Sequence, residues 1–359
     1  CAENFANFVA TQSGKVGKTY DIKDLLCRYA NDTVATCAFG IDVDSFKNPN
    51  NEFFVLGRKA VNFDSILSFK FLIYRNFPLL AKLLKLRMFG PKVENFFKEV
   101  VSGTLKVRDE QGIVRPDMIQ LMMEIRNKDN GPEFNIDEMT AQAFVFFLAG
   151  FDSVSTAMSF MMHHVGIDSN VQSKLREEID DVLRQTNGKP TYEAINRMKY
   201  LDAVINESLR MYPTVPFLDR ICVKETELPP ATPDGEPITI KPGDIIWFAS
   251  FPLHRDPKYF SHPEKFDPDR FLNGNVNNLV YMPFGIGPRV CIGNRFALME
   301  SKIMLFYLLW RCDLEPDVKT RIPMILKKTF SMLADGGFWL KLQARKSEAA
   351  VTQLSNGQN

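Results

Sequence analysis

"PFGIGPRVCIG", residues 283–293, holds three glycines, two prolines, one arginine and a single cysteine. A run with helical character follows at once: "GNRFALMESKIMLFYLLWRC", residues 293–312. A lone cysteine in a core is usually a small apolar filler. The setting here is different. Glycines let backbone approach the thiol closely, and the start of the next helix aims free N–H groups back toward it. A thiolate persists in electropositive surroundings of that kind.

Such a sulfur suits an axial ligand on haem iron, where amide hydrogen bonds tune its electron donation. Zinc would need further ligands nearby, and the loop offers none. The other cysteines, at 1, 27, 37, 222 and 312, form no C-x-x-C pair, so reduced thiols are expected. The adjacent His163 and His164 diverge on a helix and do not read as metal ligands.

Working outward, 45% of the 359 residues are hydrophobic and 24% charged, which suits a globular core. A net charge of +1 gives no field that would draw nucleic acid. Thirty phenylalanines predict an aromatic interior. The longest unbroken apolar run, Ile303 to Trp310, is too short to span a bilayer, and no signal peptide is visible.

Residues 1–220 read mostly as helix by periodicity, broken at Asn48-Pro49-Asn50, Gly90-Pro91 and Asn130-Gly131-Pro132. Residues 135–166 read as one long, largely buried helix capped by Asn135 or Asp137. Residues 191–213 read as a short helix and then another ending before Pro213. After that the period changes. "ITIKPGDIIWFAS", residues 238–250, is strand, turn, strand, with Lys241 to Asp244 suiting a type II turn. "FSMLADGGFWLKLQ", residues 330–343, reads as a second hairpin turning at Asp335-Gly336. The class predicted is mainly α with small β-sheets. A polar tail, Ser347 to Asn359, reads as disordered.

"FGIGPRVCIG" resembles the haem-binding loop of the cytochrome P-450 monooxygenases, with Cys291 at the axial-ligand position and Phe284, Gly285, Gly287, Arg289 and Gly293 matching around it. "NESLRMYP" and "FDPDRF" match the family's buried Glu–Arg–Arg network at Glu207, Arg210 and Arg270. Its role there is structural: paired guanidinium groups hold a buried carboxylate and fix the cysteine loop. Arg289 and Arg220 match positions that pair with the haem propionates, a task suited to the arginine fork.

"AGFDSVST", residues 149–156, resembles the oxygen-activation motif. Ala149, Gly150 and Asp152 agree with it, and Ser153 stands where threonine is usual. Gly150 would leave room for dioxygen, while Asp152 and the Ser153 hydroxyl would hand on protons. Val145 and Leu148 share a stripe with Ala149 and would face haem and substrate. Phe217, Leu218, Met332 and Leu333 match further pocket positions.

The resemblance extends to about residue 345. "RYANDTVATCAFGIDVDSF" and "LHRDPKYFSHPEKFDPDRF" look like the insect microsomal detoxification branch, related to vertebrate three-type drug-metabolising enzymes. It implies one haem-thiolate domain over 1–346, N-terminally incomplete: the anchor helix, first sheet and tryptophan–arginine helix of such chains find no match. It also implies haem b, NADPH electrons delivered by a flavoprotein reductase with cytochrome b5, lipophilic xenobiotic substrates, and the cytosolic face of the endoplasmic reticulum membrane. Residues 66–93 carry six Lys or Arg and no acid amid an apolar stripe, which suits a membrane surface. Two other readings remain open: a haem-thiolate isomerase or dehydratase using no external electrons, and a non-catalytic haem-binding module.

Overall fold

Several helices start where a capping side chain satisfies their first free amides. In the computed structural model, Asp21 Oδ1 accepts from Lys23 N at 3.1 Å, and Asp168 accepts from Asn170 N and Val171 N at 3.0 and 3.1 Å. Asn135 and Glu138 exchange bonds, side chain to backbone each way, in a capping box at 2.9 and 3.0 Å. Asn135 rather than Asp137 is therefore the cap of the long helix. The structure describes residues 1–61, 65–126, 135–272, 276–328 and 332–345. The breaker at Asn130-Gly131-Pro132 and the tail from Ser347 lie outside them.

The chain divides into two compact units, the first built, among the described residues, from those within 1–159, 311–313 and 341–345. It contains α1 (Ala2–Ser13), β1 (Lys18–Asp21), α2 (Ile22–Val34), α3 (Glu52–Val61), α4 (Ser65–Asn76), α5 (Pro78–Leu83), α6 (Pro91–Gln111), α7 (Met118–Arg126) and most of α8 (Ile136–Ile167). A π-helical segment, Ala35–Phe39, extends α2 and ends at Gly40 with φ +69°. The core is aromatic: Phe39, Phe53, Phe97, Phe147 and Phe151 are buried, with Phe53 edge-on to Phe147 at 5.3 Å. Gly57 lets α3 lie directly on the Phe147 ring, which a Cβ there would strike.

The second unit, residues 160–310 and 314–340 among those described, holds α9 (Ser169–Gln185), α10 (Tyr192–Asn196), α11 (Lys199–Met211), β2 (Leu218–Ile221), β3 (Thr226–Leu228), β4 (Ile238–Ile240), β5 (Ile245–Phe248), α12 (Ser250–Leu253), α13 (Asp269–Leu272) and α14 (Asn294–Arg311). Two strands follow, β6 (Cys312–Pro316) and β7 (Trp339–Ala344), and a three-stranded sheet runs in the order β1-β7-β6.

The sheets depart from the hairpins expected by sequence. The turn at 241–244 forms, with Asp244 N to Lys241 O at 3.0 Å and Gly243 at φ +96°. Its two strands nonetheless pair backwards along the chain, β5 with β2 and β4 with β3, both antiparallel. The second hairpin is shifted. Residues 325–327 pair with 333–335, through Lys327 N to Leu333 O at 2.8 Å and Asp335 N to Ile325 O at 2.7 Å. Asp335-Gly336 therefore ends that arm, and β7 beyond it joins β1 and β6. β1 itself sits where periodicity reads helix. Four residues show no period, and the strand's partner lies some three hundred residues away.

Among the described residues, α8 is long and apolar enough to cross a membrane by length and composition, although counting unbroken runs missed it. Asp152 and its polar neighbours interrupt the run, and 56% of the apolar window is buried inside the protein.

Candidate functional site

In the second unit, backbone bonds fold residues 283–293 tightly. Gly285 N donates to Met282 O at 3.0 Å, Val290 N to Gly287 O at 3.0 Å, and Cys291 N to Phe284 O at 2.9 Å. Gly285 and Gly287 both stand at φ +75°, a conformation that L side chains rarely adopt. Gly293 is less constrained, since a Cβ there would rest 4.0 Å from the Cys291 sulfur in ordinary contact. α14 begins at Asn294, directly after the loop.

The Cys291 thiol is free and exposed. Ile286, Val290, Ile292 and Phe296, all from the same short stretch, expose apolar surface, and Phe284 is half-buried. Among the described residues no cluster of three or more His, Cys, Asp or Glu could hold a metal ion. An accessible thiol amid exposed apolar side chains fits a flat, largely apolar iron macrocycle. Arg289, in the Gly287–Arg289 turn, is also exposed.

The same unit brings Glu207, Arg210 and Arg270 together. α11 buries Glu207 and Arg210 completely, one turn apart. Arg210 Nε donates to Glu207 Oε2 at 2.7 Å and Nη2 to Oε1 at 2.9 Å. Arg270 Nε adds a third charged bond to Oε1 at 3.1 Å, and Asp267 N a fourth at 2.8 Å. The remaining Arg210 N–H groups donate to the carbonyls of His254 at 2.9 Å and Pro263 at 2.8 Å. A carboxylate accepting four bonds, two of them from one arginine fork, is held in a single geometry.

β2 runs beside the loop, since a Cβ on Gly285 would come within 3.9 Å of Leu218 Cδ1. Arg220 on that strand is exposed and donates to Asp219 O at 2.7 Å. Phe217 is exposed and stands edge-on to Trp247 at 6.3 Å. Met332 is buried and Leu333 half-buried, on the arm that pairs with residues 325–327.

In the first unit, α8 carries the other candidates. Val145 and Ala149 are exposed, and Leu148 packs partly into the phenylalanine core. A Cβ on Gly150 would meet Val34 Cγ2 at 2.9 Å, so this glycine admits α2 against α8. The Ser153 hydroxyl donates to the Ala149 carbonyl one turn earlier.

Asp152 has a partner that sequence reasoning missed. Lys23, on α2, reaches its Oδ1 at 2.8 Å, its carbonyl at 3.2 Å and Ser155 Oγ at 2.9 Å, and also bonds Thr156 Oγ1. Cys27, one turn further along α2, lies 3.5 Å from Ser155 Oγ. Burial pushes its thiol pKa up while Lys23 pulls the other way. In "DIKDLLCRYA" the spacing places Lys23 and Cys27 on one helical face, but nothing in it points to Asp152.

A mainly helical chain with small antiparallel sheets, whose glycine turns present one accessible thiol, has the build of a haem-thiolate protein. A family model described as cytochrome P450 matches residues 1–341, and the chain belongs to that family. It is 48% identical over 349 residues to "Cytochrome P450 9e2" of Blattella germanica, covering 92% of this chain and 64% of that protein. "Probable cytochrome P450 9f2" of Drosophila melanogaster is 40% identical, over 90% of this chain and 65% of the relative. "Cytochrome P450 6k1" of Blattella germanica is 34% identical, over 93% and 67%. The chain thus spans 64% and 65% of the length of the first two.

Proposed function

We propose that this chain is the haem-binding, catalytic part of a monooxygenase that inserts one oxygen atom into lipophilic substrates. The observation that carries the reading is the accessible Cys291 thiol on its glycine turns, ringed in sequence by exposed apolar residues. Haem b, when bound, supplies dioxygen reduction and cleavage, with electrons from NADPH through a flavoprotein reductase and cytochrome b5.

The chain's own residues do the rest. Cys291 would hold the iron, and Arg289 and Arg220, both exposed, would pair with the propionates. Glu207, Arg210 and Arg270 fix the scaffold beneath the loop. Ala149 keeps the exposed face of α8 small, Gly150, whose open side meets Val34, lets α2 pack close, and Asp152 and Ser153 hold and pass protons. Val145 and Leu148 in the first unit, and Phe217, Leu218, Met332 and Leu333 in the second, are the positions that the resemblance assigns to substrate contact. The relatives' names speak for insect enzymes, and xenobiotics such as plant toxins and insecticides are the substrate class that follows from the resemblance.

The α4–α5 region supports attachment to the cytosolic face of the endoplasmic reticulum membrane. Ile66, Phe69, Phe77, Leu79 and Leu83 expose apolar surface among basic residues such as Lys70, Lys82 and Lys85. That mixture suits an anionic lipid interface.

The reduced carbon monoxide complex tests the ligand. Cys291→Ala should abolish the thiolate band, and an unchanged band would overturn the assignment. NADPH-dependent oxygen use with added reductase separates a monooxygenase from an isomerase, a dehydratase or a passive haem carrier. Retention of both Asp152 and Ser153 favours the first.

A further inference from the structure

His254 caps the short helix α12 and is completely buried. It grips Arg210 from two sides. Its carbonyl accepts from Arg210 Nη1 at 2.9 Å, and its ring Nδ1 lies 3.2 Å from the Arg210 carbonyl. The other ring nitrogen, Nε2, lies 3.0 Å from the amide of Met282. An amide can only donate and a carbonyl only accept. The ring is therefore the neutral tautomer with its proton on Nδ1.

Met282 immediately precedes the cysteine loop. Its carbonyl accepts from Gly285 N at 3.0 Å, and two residues on, Phe284 O accepts from Cys291 N at 2.9 Å. The residue before it is anchored as well, with the Tyr281 hydroxyl 2.9 Å from Asn206 Oδ1. Asn206 and Arg210 are four apart on α11, so one helical face anchors Tyr281 directly and Met282 through His254.

We propose that His254 is a positioning residue, joining the buried Glu207–Arg210–Arg270 cluster to the base of the cysteine loop by holding the Met282 amide. The inference rests on the reading of Cys291 as the haem ligand. Among the side chains, neutral histidine meets the requirement with one rigid ring that donates at one end and accepts at the other. Lysine and arginine cannot accept. Burial, with Arg210 beside it, pushes the His254 pKa down to about 4, which keeps the accepting lone pair near neutral pH.

Two substitutions separate the two ends of the ring. His254→Asn keeps a donor near the place of Nδ1 and gives up the acceptor for Met282. His254→Gln reaches the place of Nε2 and gives up the donor to Arg210. In the haem-free chain, Met282 amide exchange should quicken about tenfold in the Asn variant, the order expected for one lost net hydrogen bond. It should stay within about twofold of wild type in the Gln variant. In the holoprotein, the reduced carbon monoxide complex should lose its thiolate band faster on mild warming in Asn than in Gln.

Equal behaviour of the two variants in both measurements overturns the proposal, and so does full protection of the Met282 amide in Asn. Equal losses matched by a general fall in melting temperature would make His254 an ordinary core residue and overturn it too. If Met282 exchange follows the proposal while Cys291→Ala keeps the thiolate band, the ligand reading fails and the hold of His254 on Met282 stands.

Discussion

Glu207 and Asp152 are both helical carboxylates with a cation beside them, and the protein treats them in opposite ways. Glu207 and Arg210 have side chains 0% exposed, and the carboxylate accepts four bonds. Asp152 is 43% exposed and Lys23 20%, and the lysine divides its three donors among Asp152, Ser155 and Thr156. The first arrangement fixes a shape, because no proton or water can replace a partner without stranding a charge. The second keeps a carboxylate within reach of solvent on a flexible lysine stem. Burial decides which acid can serve as scaffold and which can exchange protons.

The comparison breaks most visibly at Arg210. Arg210→Ala leaves Glu207 buried with a single cation, and stability should fall by about 3–5 kcal/mol in urea denaturation. A loss below about 1 kcal/mol would mean that the pair behaves like a surface one. Arg270→Ala should cost less, about 1–2 kcal/mol, because Glu207 keeps both bonds from Arg210.

Histidines in the same unit sharpen the point. Burial depresses the pKa of His164 to about 3, and of His163 and His254 to about 4. His164 lies flat on Phe266 at 4.3 Å and near Tyr212 at 5.3 Å, so its ring is packed as an aromatic. Their folded pKa values lie below the ordinary 6.5, so below that pH the unfolded chain takes up protons that the folded chain refuses. Stability is therefore complete above about pH 6.5 and lost as pH falls toward about 4, by ~1.4 kcal/mol per unit for each histidine. His164→Phe should remove one such increment and flatten the fall in the denaturation midpoint between about pH 6.5 and 5. An unchanged slope would show that this interior accepts an unpaired charge.

At Lys23 and Asp152 the expected effect is smaller. A double-mutant cycle of Lys23→Met and Asp152→Asn should give a coupling of about 0.2–1 kcal/mol, diminishing in salt. A coupling above about 2 kcal/mol would place this pair with Glu207 and erase the contrast.

How much of this was legible follows from the range of the interactions. The caps, the long helix and the turn at 241–244 are local, so Asn135, Glu138 and Gly243 announce them within a few residues. Glu207 and Arg210 are one turn apart, and their spacing is readable. Their burial is not, because it depends on carbonyls at 254 and 263. Strand partners were lost for the same reason: β4 and β5 look like each other's partners until β2 and β3 claim them. Lys23 and Asp152 are 129 residues apart, and nothing local in either stretch links them. The proposed ligand and oxygen-activation residues came from resemblance to a family, and only the cysteine loop has glycine conformation as physical support, at Gly285 and Gly287.

The finest test lies at Ser153, which on the proposed reading stands where threonine is usual in the family's oxygen-activation motif. Its hydroxyl donates to the Ala149 carbonyl, a bond that holds the proton inside the helix. In a helix threonine divides between two χ1 rotamers, of which the back-bonded one is only one, whereas the serine hydroxyl here sits in the back bond. Stability should barely notice either change, within about ±0.5 kcal/mol. Coupling should respond. In the haem-loaded enzyme with reductase at saturating substrate, Ser153→Thr should release less hydrogen peroxide per NADPH than wild type, and Ser153→Ala clearly more. If all three give equal yields, the hydroxyl lies outside the proton route. The half-exposed Asp152 with ordered water would then carry it alone, and the contrast with Glu207 would rest on that one carboxylate.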